Sequence, residues 1–268
     1  MAMLMDRFKG FIVPVSESLQ IERAAFSAGA VTDRGRVRER NEDRYYISED
    51  IGLFVVADGM GGHRGGEMAA AIVKDDLPVL IETGLDKLAS SSPASVRKLL
   101  RGSLRQQSRQ LYMEGCSEAG CRYMGSTVAL VLVHQGRAYA GNLGDSRIYR
   151  FRKGRLTRLS RDHSVISELI EKELIHPSQA EGHPCSGQIT QFAGMEAEAE
   201  PYLRSFRIQG GDQILLCTDG LTDMVDEQSI ESVLNKDESP LSRCEELVNA
   251  ANSAGSYDNI TTVLVSLK

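Results

Sequence analysis

Tryptophan is absent from the 268-residue chain, as is any basic block or acidic tail. Its 31 Lys and Arg and 37 Asp and Glu are spread along the chain and leave a net charge of −6. With no basic stripe and no stacking platform, nucleic-acid binding has no support. No GxxxxGK[ST] run is present, which sets aside a phosphate-cradling nucleotide hydrolase. The five cysteines (Cys116, Cys121, Cys185, Cys217 and Cys244) are odd in number and form no CxxC pair. They read as reduced thiols of a cytoplasmic protein, neither a disulfide frame nor a zinc site. Residues 1–15 are mildly apolar but broken by Asp6, Arg7 and Lys9, so neither a signal peptide nor a membrane anchor is expected. Internal repeats, low-complexity tracts and Pro/Ser-rich linkers are missing too. This favours one domain over residues 24–268, preceded by an extension over 1–23. An acidic protein that handles an anionic substrate needs a local source of positive charge, either a metal ion or a placed arginine.

What is present is organised around Phe54-Val55-Val56-Ala57-Asp58-Gly59-Met60-Gly61-Gly62-His63. A short apolar run bounded by turn residues reads as a buried strand. It ends on Asp58, and the glycines after it let the backbone approach whatever Asp58 holds. A glycine-rich turn with Asp58 capping a helix is an equally good reading of this stretch alone. Further strands are expected over Ala24–Thr32, Tyr45–Ile47, Ser126–Val133, Ala138–Ala140, Ile148–Phe151, Leu156–Leu159, Phe206–Ile208, Ile214–Cys217 and Ile260–Leu267. The short spans joined by Gly turns indicate antiparallel pairing. Helical spacing covers about 66–77, with Pro78 as a stop or kink. A second helix opens at Ser92-Pro93, and others cover Asp226–Leu234 and Leu241–Ala254. Residues 162–189 break the rhythm, as a disordered loop or a mobile flap over a site.

One event recurs: an acid where a strand begins or ends, beside a turn former. Glu42 and Asp43 precede a strand, Asp58 follows one, and Asp145 lies in Gly144-Asp145-Ser146-Arg147. Asp219 follows a strand and Asp258 precedes the last. Side-by-side strands would bring these ends to one sheet edge, where like charges in a dry crevice need a cation. An all-oxygen ligand set suits magnesium or manganese. Two such ions about 3.5–4 Å apart would position and deprotonate a water for attack on phosphorus. Any one of these acids alone is more readily ordinary turn chemistry than a metal ligand.

Seven motifs in register carry a resemblance. They are Arg38-Glu39-Arg40-Asn41-Glu42-Asp43, Val56-Ala57-Asp58-Gly59-Met60-Gly61-Gly62, Gly125-Ser126-Thr127, Gly141-Asn142-Leu143-Gly144-Asp145-Ser146-Arg147, Leu159-Ser160-Arg161-Asp162-His163-Ser164, Cys217-Thr218-Asp219-Gly220-Leu221-Thr222 and Ser256-Tyr257-Asp258-Asn259-Ile260-Thr261. Over about residues 26–267 the chain resembles the PP2C-type (PPM) metal-dependent serine/threonine protein phosphatases in their compact bacterial form.

The resemblance implies an α+β fold, a four-layer α-β-β-α sandwich of two antiparallel sheets, with a two-metal site (Mn2+ or Mg2+) at one edge. It implies Asp58 bridging both metals, with Asp219 and Asp258 completing the ligands of the first metal. Glu42 and the Gly59 carbonyl would hold the second metal, with Asp43 acting through water. Asp145, with Asp219, matches a weaker third site. Arg38 matches the arginine that binds substrate phosphate, and His63 is the candidate proton donor to the leaving alkoxide. The implied reaction is direct attack by a metal-bridged hydroxide on phosphoserine or phosphothreonine in phosphoproteins, without a phosphoenzyme. The protein would then act as a cytoplasmic monomer opposing a Ser/Thr kinase, with a flap over about 164–187 steering substrate choice. Two departures concern specificity: Gln191 and Phe192 stand where relatives carry an Arg-Ala-like pair. A catalytically weak relative serving as a phosphoprotein-binding module is the competing class, and the complete set of acids counts against it.

Overall fold

The computed structural model describes residues 16–22, 26–61, 65–117, 123–180 and 182–268. One antiparallel sheet runs β1(Ser16–Glu22), β2(Phe26–Asp33), β12(Ile260–Leu267), β11(Gln213–Cys217), β8(Arg147–Arg152) and β9(Arg155–Arg158). The other runs β10(Tyr202–Arg207), β7(Arg137–Leu143), β6(Val128–His134), β4(Leu53–Met60) and β3(Asp43–Ser48), with the two-residue β5(Gly125–Ser126) paired to the end of β4. Long helices α1(Gly65–Asp86) and α2(Pro93–Ser117) cover the second sheet. Past the short α3(Val165–Glu171) and α4(Asp219–Thr222), helices α5(Glu227–Leu234) and α6(Pro240–Ser253) cover the first. The architecture is the expected four-layer α-β-β-α sandwich.

The continuous apolar run of β4 follows from burial on both faces. Leu53, Val55 and Ala57 pack toward α1 and α2, whereas Phe54 and Val56 pack between the sheets. Small residues line much of that middle layer (Ala28, Ala30, Ala129, Ala138 and Ala140), and Phe26 meets Phe54 edge to face at 5.3 Å. Deletions there leave cavities that a close-packed interior cannot collapse.

Two elements differ from the sequence reading. Helix α1 continues eight residues past Pro78. Pro78 removes one helical donor, but Leu77 and Ile81 on either side are fully buried, and that packing carries the helix through. The expected first strand is present as β2, and one more strand, β1, lies ahead of it within the stretch read as an extension. β1 pairs along its whole length with β2, from Ser16↔Asp33 to Glu22↔Ser27. Its exposed, largely polar sequence, with only Leu19 and Ile21 alternating, gives little periodic signal. The last strand, by contrast, falls at Ile260–Leu267 as its apolar run predicts.

Candidate active site

Strand register brings the acids to one end of the sandwich. On the second sheet Asp43 lies directly opposite Asp58. On the first sheet Cys217 is paired on one side with Arg147 and on the other with Thr262. Asp219 two residues beyond Cys217, Asp145 two before Arg147 and Asp258 four before Thr262 therefore share that same end. Burial pushes the Asp58 and Asp219 carboxyls well above the usual carboxylate range. Asp43, Asp219, Asp258 and Asp145 add to the effect at Asp58, and Asp145, Asp223, Asp258 and Asp43 add to it at Asp219. Asp145 and Glu42 are likewise raised, chiefly by burial.

Asp43 is the most deeply set, 1% exposed, and burial pushes it up to about 7 against two hydroxyl hydrogen bonds. Thr218 Oγ1 donates to its Oδ2 at 2.9 Å and Thr261 Oγ1 at 2.8 Å. Each hydroxyl has one proton, so donor roles propagate outward. Thr261 accepts from Thr32 at 2.7 Å, and Thr32 accepts from Asn41 Nδ2 at 2.9 Å. Thr218 Oγ1 accepts the Thr261 backbone N–H at 2.9 Å. This chain fixes one oxygen of Asp43 and leaves the other, Oδ1, buried and without a partner.

Glu42 and the Gly59 carbonyl meet at the first turn of α1. A Cβ on Gly66 would stand 2.6 Å from the Gly59 oxygen and 2.7 Å from Glu42 Oε2. Bare backbone at Gly66 is thus what lets both oxygens approach. Asn259 anchors the opposite wall: its Nδ2 donates to the Arg34 and Arg40 carbonyls and its Oδ1 accepts the Glu42 N–H, all at 2.8 Å. Arg38 donates to Asp258 Oδ2 at 2.7 Å with half its side chain exposed. Asp58 and Glu42 act on it electrostatically as well.

Asp145 is held by its surroundings. Arg147 grips Asp162 through Nε and Nη2, Arg158 reaches the same carboxylate, and Gly144 N donates to His163 Nδ1 at 3.2 Å. His163 therefore offers an acceptor at Nδ1, in keeping with burial lowering its pKa to about 4. The segment after it is closed at its base by Val165 N donating to Gln188 O and by the Ser164↔Ile189 bridge. Among the two departures, Gln191 Oε1 accepts the Glu200 N–H. The Phe192 ring sits over Gly125, where a Cβ would stand 2.7 Å from it.

Of the residues expected at the site, Arg38, Glu42, Asp43, Asp58, Gly59, Asp145, Asp219 and Asp258 come together, and His63 lies outside the described residues. The acids share one end of the sandwich without closing on one point: among the described residues no three Asp, Glu, His or Cys side chains form a cation-holding group. The donor set nevertheless fits an oxygen-seeking divalent cation. Oδ1 of Asp43, Asp145 and Asp219 are all buried with no hydrogen-bond partner, and such orphans require a ligand or a proton. Sequence reasoning missed Asp223, a neighbour of Asp145 and Asp219 that accepts from Tyr257 at 2.9 Å, and the Thr218, Thr261 and Asn259 braces. Their positions beside Asp219 and Asp258 were the available signal. A cysteine-phosphatase spacing, Cys-x5-Arg, does occur at Cys116–Arg122. Cys116, however, is exposed in the last turn of α2, away from any strand-to-helix phosphate loop.

A four-layer sandwich with buried, unpartnered carboxylate oxygens at one end of its sheets has the donor set of a divalent-cation hydrolase. Residues 33–264 match the family described as Protein phosphatase 2C. Protein phosphatase PhpP of Streptococcus pneumoniae is 33% identical over 243 residues, covering 88% of this chain and 96% of that one. The S. agalactiae serine/threonine phosphatase superposes with a TM-score of 0.79 at 28% identity, covering 94% and 100%. The catalytic domain of the serine/threonine protein phosphatase PstP, solved with 2 manganese ions, gives 0.73 at 29%, covering 91% and 98%. The chain belongs to the protein phosphatase 2C family of serine/threonine protein phosphatases. No helix among the described residues is long and apolar enough to cross a membrane.

Proposed function

We propose that this phosphatase hydrolyses phosphoserine and phosphothreonine in proteins at a binuclear manganese or magnesium centre, acting as a cytoplasmic monomer against a Ser/Thr kinase. Its working domain is residues 24–268, with 164–187 as the flap beside the crevice. Asp58 would be the ligand shared by two cations, Asp219 and Asp258 would help hold one, and Glu42 and the Gly59 carbonyl the other. Asp43 would act through water, and Asp145 with Asp219 would offer a third position. When bound, such ions acidify a water and neutralise charge developing on the phosphoryl oxygens.

The chain's own residues do the rest. Arg38 presents paired donors to phosphate oxygens and exchanges Asp258 for the substrate. Asp43, its second oxygen fixed by Thr218 and Thr261, keeps Oδ1 free to hold a water. His63 is the proposed proton donor to the serine or threonine alkoxide. The observation that carries this reading is the register of β3 on β4, which sets Asp43 across from Asp58 and brings Glu42 and Gly59 against Gly66.

The test is manganese-dependent phosphate release from a phosphothreonine peptide, with Asp219→Asn as control. Release by the intact protein and none by the variant is the expected result; no release at millimolar manganese overturns the reading. For His63, His63→Gln is expected to slow the peptide but spare p-nitrophenyl phosphate, whose leaving group needs no proton. Equal losses on both substrates remove His63 from that role.

A further inference from the structure

Away from the acids, one corner of the sandwich, at the β7–β10 edge, gathers arginines. Arg137 stands directly between two basic neighbours in register, His134 on β6 and Arg207 on β10. Like charges directly opposite on a sheet repel. Around the β10 edge, Arg150 lies over the Phe206 ring at 5.2 Å, and the charges of Arg152 and Arg204 reach it against the opposite pull of Asp212. Arg152 is matched by the buried Asp212. Among the described residues Arg137, Arg150, Arg204 and Arg207 have no carboxylate at ion-pair distance. The Nε atoms of Arg137 and Arg150 and the His134 Nε2 are buried with no hydrogen-bond partner at all. Arg204 and Arg207 are exposed on an edge strand.

We propose that the Arg137–Arg150–Arg204–Arg207 corner is a docking site for an acidic segment of the phosphoprotein substrate, a reading that rests on the proposed phosphatase activity. Three residues apart on β10, Arg204 and Arg207 put one guanidinium on each face of this edge strand, where each suits a carboxylate of a segment passing along the edge. A broad polyanion such as nucleic acid or a membrane would meet a chain whose overall net charge is −6, which favours a short acidic stretch. The spacing is also workable. Tyr202 pairs with Asn142, three residues before Asp145, while Arg207 ends the same strand. Five residues of strand separate them, about 17 Å. A docked segment would therefore lie roughly six to ten extended residues from the phosphoresidue.

Two phosphothreonine peptides test this, one ending in four glutamates eight residues from the phosphate and one ending in four glutamines. The acidic tail is expected to lower KM about three- to tenfold at unchanged kcat, the worth of two or three exposed ion pairs. In Arg204→Glu/Arg207→Glu that advantage disappears, while the glutamine peptide and p-nitrophenyl phosphate are turned over as before. Equal KM for the two tails, or an advantage that survives in the variant, overturns the docking site. Fluorescence anisotropy of the labelled, unphosphorylated acidic tail reads the surface without turnover. Binding to the wild-type protein and not to the variant upholds docking even if no phosphopeptide is hydrolysed, a result that would overturn the activity alone. Equal binding to both proteins, or to neither, overturns docking.

Discussion

The two ends of the sandwich are both crowded with like charges, yet they differ in depth and so in consequence. At one end Asp43, Asp58, Asp145 and Asp219 are sunk where burial raises their proton affinity. At the other, Arg204 and Arg207 stand in solvent. Buried like charges must be neutralised by a proton or a cation, so that end is unstable until it is filled. Exposed like charges cost tenths of a kcal/mol and can wait for a partner. Depth, not charge count, separates a site that demands its ligand from a surface that merely attracts one.

The sharpest way to break this contrast is Asp219→Asn. With one buried charge and one ligand removed, turnover of a phosphothreonine peptide should fall about a thousandfold, about 4 kcal/mol of barrier. The metal-free variant should meanwhile unfold at a higher urea concentration than wild type, because a desolvated charge is gone. Lower stability in the variant would mean that Asp219 is structural. Next in size is Gly66→Ala. Alanine is the better helix former by about 1 kcal/mol, but its Cβ would stand 2.6 Å from the Gly59 carbonyl oxygen and 2.7 Å from Glu42 Oε2, so the Gly59 backbone and Glu42 must both shift. The manganese concentration for half-maximal activity should rise at least about tenfold, which a metal titration reads directly. An unchanged titration would remove Glu42 and Gly59 from metal binding.

A third effect concerns pH. The Asp43 carboxyl rises in the folded protein to about 7. The folded state therefore holds its proton where the unfolded chain has lost it. For such a group the stabilisation is complete below the unfolded value near 4 and is lost as pH rises to about 7. The metal-free protein should thus melt at progressively lower temperature between about pH 4.5 and pH 7 as far as these acids dominate. Saturating manganese should flatten or invert that trend, since a cation prefers the ionised form. Melting curves at four pH values, with and without manganese, give the sign, and a metal-free Tm that climbs with pH would contradict it.

Much of this was legible in the chain because punctuation marked it. Asp58-Gly59, Asp145-Ser146, Asp219-Gly220 and Asp258-Asn259 each sit where an apolar run meets a turn, so the acids announced the ends of strands. What the sequence could not convey was the pairing. That Asp43 faces Asp58, or that Arg137 faces both His134 and Arg207, depends on register between distant segments. The threonine braces escaped for a related reason: Thr218 and Thr261 are common strand residues whose hydroxyls gain meaning only when 175 and 218 positions of chain separation close onto Asp43. Pro78 misled because local propensity was overruled by burial of Leu77 and Ile81.

The smallest effect sharpens the comparison from the arginine end. Arg207→Ala removes one charge from a directly opposed pair while leaving the Arg207 carbonyl free to accept from Arg152. Because that repulsion is solvent-exposed, its relief should stabilise the protein by only a few tenths of a kcal/mol, about 1 °C in Tm. Raising ionic strength from about 0.05 M to about 0.5 M shortens the screening length to a few ångströms and should erase the difference. The carboxylate end should not respond in this way, since buried pairs are poorly screened. The manganese-free pH trend should persist in the same high salt. If salt abolished both, the two ends would differ in sign alone, and depth would not be the variable that matters.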